Sequence, residues 1–304
     1  MLMKKLLVFV VGPTAIGKTS TAIDLATHFN TEIISCDSRQ FYKEMNIGTA
    51  KPSPNEIKKI KHHLVGNISV NKDYNISEFT NDADIILKSI LDKKNIVILV
   101  GGSGLYIESL IFGINQIPEA NMDLRNKLNN DLKNNGIKFL QDWLKNIDPE
   151  ITDKIDMKNP RRVIRALEIC ITSKKKYSQI IDKTKKTPKY DFLCIGLDCN
   201  RKELYEVINK RVDSMVANGL VKEVKSLYRF RKNNALNTIG YKEIFEYIEG
   251  NDSIENCVEK IKVNSRRYAK RQLTWFRSKN YIKWFNKPNL EELIDYIEIN
   301  QQST

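Results

Sequence analysis

Leu6-Leu7-Val8-Phe9-Val10-Val11-Gly12-Pro13-Thr14-Ala15-Ile16-Gly17-Lys18-Thr19 decides how this chain folds. The first six residues are an unbroken apolar run, as expected of a parallel strand covered on both faces. Residues 12–19 fit G-x-x-x-x-G-K-[ST], the pattern of a loop that wraps phosphate. Beyond it, Ala22, Leu25, Ala26 and Phe29 fall on one helical face. Strand, glycine-rich loop and helix in that order form the setting this motif needs. Its glycines let backbone N–H groups turn inward, and the helix N-terminus adds partial positive charge. Lys18 adds a full charge, and the Thr19 hydroxyl suits a Mg²⁺ bound to the same phosphates. The motif specifies a polyphosphate. It leaves open which one and what becomes of it.

Further apolar runs at Ile33–Cys36, Ile96–Val100 and Phe192–Leu197 read as companion strands. Helical patterns lie between them, one carrying Ala83, Ile86, Leu87 and Ile90, another running from Lys202 to about Phe230. The alternation predicts an α/β fold of phosphate-loop NTPase style around a parallel sheet. From about Gly113 to Tyr190 no strand pattern occurs. Helical segments there are separated by Gly136, Asp148-Pro149 and Asn159-Pro160. Leu128, Leu132, Phe139, Leu140, Trp143 and Leu144 can form a core. The expectation is a core in two halves, residues 1–112 and 191–304, with an all-helical insertion domain at 113–190. After Asn286 the pattern is one short amphipathic helix.

The 304 residues include 50 Lys and Arg against 37 Asp and Glu, a formal net charge of +13. Such an excess favours a polyanionic partner. No apolar run is long enough for a membrane span. The five cysteines are scattered without a C-x-x-C pair, which fits a cytoplasmic protein without disulfides or structural zinc.

Several constellations add chemistry. The second strand runs into Asp37-Ser38-Arg39-Gln40, and a carboxylate at that end of a strand faces the crevice where α/β proteins bind ligands. Asp37 could hold Mg²⁺, act as a general base, or cap a helix. The third strand ends in Gly101-Gly102-Ser103-Gly104, a turn suited to a second set of phosphate contacts. Asn159-Pro160 starts a helix well, and Arg161, Arg162 and Arg165 cluster on it opposite Val163, Ala166, Leu167 and Cys170. Arg211 shares an apolar stripe with Leu204, Ile208 and Met215, a costly place for a guanidinium without an anionic partner. Arg266, Arg267, Tyr268, Lys270, Arg271, Trp275, Phe276 and Arg277 interleave cations and aromatics, as nucleic-acid contacts do. The adjoining His62 and His63 lack partners spaced for a metal site.

The ordered set of Gly12–Thr19, Asp37–Tyr42, Ile47–Pro52, Gly101–Tyr106, Arg165–Glu168, Ile239–Tyr241 and Tyr268–Gln272 resembles the bacterial tRNA dimethylallyltransferases. The resemblance implies transfer of a dimethylallyl group from dimethylallyl diphosphate to N6 of adenosine 37. This base lies 3′ of the anticodon, in tRNAs reading codons that begin with U. It implies that Gly12, Pro13, Thr14, Ala15, Ile16, Gly17, Lys18 and Thr19 bind the diphosphate, with Mg²⁺ at Thr19. The loop alone would also tolerate ATP. Asp37 becomes the general base. Lys18, Ser103 and Arg211 join it at the reacting centre, with Ser103 where the family usually has Thr. Contacts to the tRNA anticodon stem-loop are implied for Asp37, Ser38, Arg39, Gln40, Ser103 and Arg125. The same holds for Arg161, Arg162, Val163, Ile164 and Arg165, and for Asn237, Thr238, Ile239, Gly240, Tyr241 and Lys242. Arg161 stands for the usual Gln and Lys242 for a common Arg. The enzyme is expected to be a cytoplasmic monomer without membrane contact. Two other classes fit the phosphate loop: a small-molecule kinase using ATP, and an RNA-binding protein whose nucleotide site is regulatory.

Overall fold

The computed structural model describes residues 4–114, 117–181 and 187–302. Contacts divide the chain into two compact units, Met1–Gly113 with Pro188–Thr304, and Ile114–Thr187. In the first unit the chain runs β1 (Leu6–Val11), α1 (Lys18–His28), β2 (Ile33–Ser35), α2 (Pro54–Lys59), β3 (His62–His63), α3 (Ile76–Leu91), β4 (Ile96–Gly101) and α4 (Gly104–Phe112). The second unit holds α5 (Met122–Ile147), α6 (Pro160–Ser173) and α7 (Tyr177–Ile180). The chain then returns with β5 (Asp191–Asp198), α8 (Arg201–Ala217), α9 (Leu220–Ser226), α10 (Tyr241–Ile248), α11 (Ile254–Arg277), β6 (Ile282–Asn286) and α12 (Leu290–Gln302).

The sheet has the order β3-β2-β4-β1-β5-β6, and every pairing is parallel. The expected α/β class therefore holds. Side chains of β1 alternate between two cores. Leu7, Phe9 and Val11 pack with Phe79, Leu87 and Leu110 of α3 and α4. Leu6, Val8 and Val10 pack with Ala22, Leu25 and Ala26 of α1 and Ile297 of α12. All six β1 residues are buried, which is why the run carries no polar residue. The C-terminal ends of β1, β2 and β4 lead into the phosphate loop, Asp37 and Ser103, so the sheet brings these three segments to one edge.

Two strands differ from the sequence reading. β3 is a two-residue edge strand made of the paired histidines. In β6 only Ile282 and Phe285 are buried, so an edge strand lacks the apolar run of a central one. The helix expected from Lys202 to Phe230 is broken at Gly219, whose φ of 99° caps α9.

In the insertion, Asn159 accepts the Arg161 amide at 3.1 Å and Pro160 opens α6. Leu128, Leu140 and Leu144 of α5 pack on Val163, Ala166, Leu167 and Cys170 of α6. Gly136 breaks the helical backbone of α5 with a φ of 75°. Phe139, expected in this core, is instead 46% exposed.

A third core, around α8 to α11, holds the segment after Asp37 in place. The Glu223 carboxylate accepts the amides of Asn46 (2.9 Å), Ile47 (2.8 Å) and Gly48 (3.0 Å) and the Tyr241 hydroxyl (2.6 Å). Gly48 lies so close to the Tyr241 ring that a Cβ would come within 2.5 Å of it. Hydrogen bonds to a charged group contribute more than neutral ones. Glu223→Ala should therefore lower unfolding free energy by about 2 kcal/mol, read as a reduced urea midpoint at constant slope. An unmoved midpoint would show that the clamp is stabilising nothing.

Candidate active site

The loop between β1 and α1 has the backbone of an anion cradle. Gly12 has a φ of 143°, and a Cβ there would come within 2.7 Å of the Leu197 carbonyl on β5. Gly17, at a φ of 97°, caps α1. Ala15 has a φ of 69°, a left-handed conformation that costs a non-glycine residue about 1–3 kcal/mol and gathers at ligand sites. Lys18 Nζ donates to the Pro13 carbonyl at 2.7 Å, which curls the side chain back over the loop.

Asp37 sits one residue past Cys36, at the end of β2. Its Oδ1 accepts the Arg39 amide at 2.9 Å and fixes a turn; no helix begins here, so the helix-capping role raised by the sequence is not realised. The Asp37 charge is also felt at Lys18 and Arg211. Burial lowers the Lys18 ammonium to about 7, with Asp37 opposing that shift and Arg211 reinforcing it. Burial likewise lowers the Arg211 guanidinium, again against Asp37. Two phenols also feel the Asp37 charge. Tyr106 and Tyr268 are both pushed up to about 12, chiefly by burial, and so stay neutral.

Ser103, on the turn after β4, accepts the Ser38 amide at 3.1 Å through Oγ. This ties the two turns together beside Asp37. Gln40 points into its own segment, donating to the carbonyls of Thr49 (3.4 Å) and Ala50 (3.1 Å). Arg39 donates from Nη1 to the carbonyls of Asn234 and Ala235, both at 3.0 Å. Arg211 further borders a cavity walled by Ile47, Pro52, Pro54, Ile57 and Met215.

The remaining sequence candidates separate by exposure. Asn237 and Lys242 are exposed, whereas Gly240 and Tyr241 are buried and Thr238 and Ile239 lie between. On α6, Arg161 and Arg162 are exposed, while Val163 and Ile164 belong to the insertion core. Arg125 and Arg165 converge on Glu168, which has no exposed side-chain surface, at 2.7 and 3.0 Å. Glu168 also accepts the Asn121 amide at 2.8 Å. Burial alone would raise its carboxyl, but hydrogen bonds from Arg125 and Arg165 hold it below the usual range. On α11, Arg267, Lys270 and Arg271 are exposed and Phe276 is core.

Sequence reasoning assigned no role to Glu168, Glu223 or Gln272. Glu168 and Gln272 lie inside family-like motifs, which is the signal that could have raised them. Glu223 sits in an ordinary helical pattern and gave none.

For a metal, the described residues contain no cluster of three or more His, Cys, Asp or Glu side chains. A structural site of protein ligands alone is therefore not built among them. Thr19 at the start of α1 fits the other mode, in which Mg²⁺ is shared with substrate phosphates.

Comparison with known proteins gives a consistent result. The IPP transferase family model matches residues 40–279. The tRNA dimethylallyltransferase of Christiangramia forsetii is 46% identical over 297 residues, covering 97% of this chain and 98% of its own. That of Flavobacterium johnsoniae is 42% identical over 307 residues, covering 99% of each. Among solved structures, the full-length tRNA isopentenylpyrophosphate transferase of Bacillus halodurans superposes with a TM-score of 0.74 at 38% identity, covering 98% of this chain and 97% of that one. A eukaryotic dimethylallyltransferase acting on tRNA gives 0.80 at 28% identity, covering 95% of this chain and 75% of its own.

A lysine lowered to about 7 is mostly neutral at pH 8, and a bound polyanion favours its charged form. Calorimetric titration with inorganic pyrophosphate at pH 8, in buffers of different ionisation enthalpy, should record more proton uptake by the native protein than by Lys18→Met. Equal uptake by both would remove Lys18 from the anion site.

Proposed function

The chain belongs to the IPP transferase family, and on that footing we propose that it transfers the dimethylallyl group of dimethylallyl diphosphate to N6 of adenosine 37 in tRNA. The observation that carries the reading is the phosphate loop between β1 and α1, with Lys18 curled back over it and the Asp37 and Ser103 turns tied together at the neighbouring strand ends. Two cations against one carboxylate leave room for an added anion, and a departing diphosphate supplies it.

The chemistry sets two tasks. Adenine N6 is a weak nucleophile because its lone pair is delocalised into the ring. The allylic carbon is a good electrophile because developing positive charge spreads into the double bond. N6 forms a bond to that carbon as the carbon–oxygen bond to diphosphate breaks. One N6 proton must then leave. Loop amides, Lys18 and Arg211 stabilise the negative charge that grows on the diphosphate, and Asp37 takes the proton. Mg²⁺ held by Thr19 and the diphosphate oxygens would neutralise further charge there. The apolar walls beside Arg211 suit the five-carbon chain of the donor.

To reach this crevice the adenine must leave the anticodon stack. We assign the RNA grip to the exposed arginines Arg161 and Arg162 of the insertion and to the exposed face of Arg267, Lys270 and Arg271. Asn237 and Lys242 supply a further polar contact. Arg125 and Arg165 act through Glu168, holding α5 to α6. The same proposal takes the enzyme to be a cytoplasmic monomer. Among the described residues, no helix is long and apolar enough to cross a membrane.

Protein, Mg²⁺ and unmodified tRNA carrying an A-A-A run 3′ of the anticodon should take up label from dimethylallyl diphosphate and none from ATP. Phosphoryl transfer from ATP without prenylation would overturn the reading. Asp37→Ala should lower turnover by about 10²- to 10⁴-fold while donor binding largely persists, and undiminished turnover would deny Asp37 its role. Arg161→Ala with Arg162→Ala should weaken tRNA binding and flatten its salt dependence, by a slope change of about 0.7 for each phosphate no longer neutralised. An unaltered slope would return both arginines to the solvated surface.

A further inference from the structure

One polar side chain from the far end of the sequence is buried between the two halves of the site. Gln272 on α11 is only 6% exposed. Its Oε1 accepts the Thr14 amide of the phosphate loop at 2.8 Å, and its Nε2 donates to the Gly102 carbonyl at 3.0 Å. Both ends of the amide are used, and each faces the one kind of partner it can bond. Turning the group over would set donor against donor and acceptor against acceptor. Glutamate would lose the bond to the Gly102 carbonyl, and methionine would lose both.

The surrounding backbone is shaped to admit this group. A Cβ on Gly102 would lie 2.1 Å from Gln272 Nε2, and a Cβ on Gly104 would lie 2.2 Å from the Trp275 ring. The turn after β4 is thus bare where α11 presses on it. That same turn carries Ser103, which holds the Ser38 amide next to Asp37. A continuous set of contacts runs from the phosphate loop through Gln272 to Gly102, Ser103, Ser38 and Asp37. One helical turn back from Gln272, Tyr268 feels the charge of Asp37. Thr14's amide is directed at Gln272.

We infer that Gln272 is a positioning residue whose amide fixes the distance between the loop that cradles the diphosphate and the turn that carries Ser103 and abuts Asp37. It touches neither reactant. The inference rests on the reading above, in which donor and adenine meet between these two segments. Transfer between two bound reactants depends steeply on their separation, and a misplacement near 1 Å costs on the order of 10²-fold in rate. Binding of each reactant alone depends on only one of the two segments. Loss of the bridge therefore falls on the chemical step and spares the two affinities.

The test uses the full-length protein, Mg²⁺, unmodified tRNA and dimethylallyl diphosphate, with Gln272→Met, Gln272→Glu and Gly102→Ala. The last expels the amide from the opposite side and should reproduce the effect of the first. Single-turnover transfer should fall on the order of 10²-fold in all three, with donor and tRNA dissociation constants close to native. Hydrogen exchange at the Thr14 amide should accelerate in Gln272→Met and stay slower in Gln272→Glu, which keeps that half of the bridge. Native transfer rates in Gln272→Met would overturn the inference. So would a rate loss matched by an equal loss of donor or tRNA affinity, because that describes a general structural defect. A native enzyme that fails to prenylate would sink the functional reading instead, and the Thr14 exchange pattern would still decide whether the bridge exists.

Discussion

Two half-buried cations, Lys18 and Arg211, that both feel the charge of a single carboxylate, Asp37, are the arrangement on which this molecule turns. Lys18 and Arg211 both lose affinity for their protons through burial, and Asp37 offsets that loss only in part. Such a group of charges is unfavourable by itself, and the rigid sheet edge is what keeps it assembled. Six buried β1 residues, clamped between β4 and β5, deliver Lys18. The short β2 delivers Asp37, and α8 delivers Arg211. The excess positive charge creates a demand for an anion, and the demand is greatest where one gains charge. In the proposed transfer, a leaving diphosphate would answer that demand during the reaction as well as before it.

Around this group, close approach is achieved by omission of side chains as much as by their presence. A Cβ on Gly101 would run into the Cys36 carbonyl at 2.4 Å, and one on Gly102 would run into Gln272. Bare backbone on the β4 turn lets β2 and α11 come in from two sides. The Glu223 carboxylate has the complementary role further out, gathering three successive amides of the 46–48 segment. Charge is thus used in two ways in one unit. Glu223 commits its charge to donors inside the protein, whereas Lys18 and Arg211 lie beside the phosphate loop and Asp37 with a net positive charge.

The central strands and the phosphate loop were legible in the sequence because their burial on both faces leaves unbroken apolar runs. The edges were not. His62–His63 holds no buried residue, and Ile282–Asn286 buries only Ile282 and Phe285, so neither edge strand carries such a run. The break at Gly219 was hidden because a helical pattern on both sides of one glycine reads as continuous. Asp37, Lys18, Ser103 and Arg211 stand near strand ends or on conspicuous stripes, and local reasoning could find them. Gln272 falls within a family-like motif, yet its role was not legible there, since its two partners lie 258 and 170 residues away in the chain. A hydrogen bond between distant segments leaves no local periodicity or spacing to detect.

The arginines of the insertion show how the same residue type divides between structure and binding. Arg161, Arg162 and Arg165 look like one cluster when plotted on a helix. The fold separates them through Glu168, a fully buried carboxylate one turn after Arg165. Leaving that carboxylate unpaired would be costly, so it draws in Arg165 from its own helix and Arg125 from α5. Together with the Asn121 amide they join α5 to α6 from the polar side. Arg161 and Arg162 fall outside its reach, with their charge turned to water. The net positive charge of the whole chain overstates what is free to meet a polyanion, because part of it is engaged in pairs of this kind. What a nucleic acid would meet is the remainder, and on α6 that remainder is a pair of adjacent guanidiniums held at the start of a helix capped by Asn159 and Pro160.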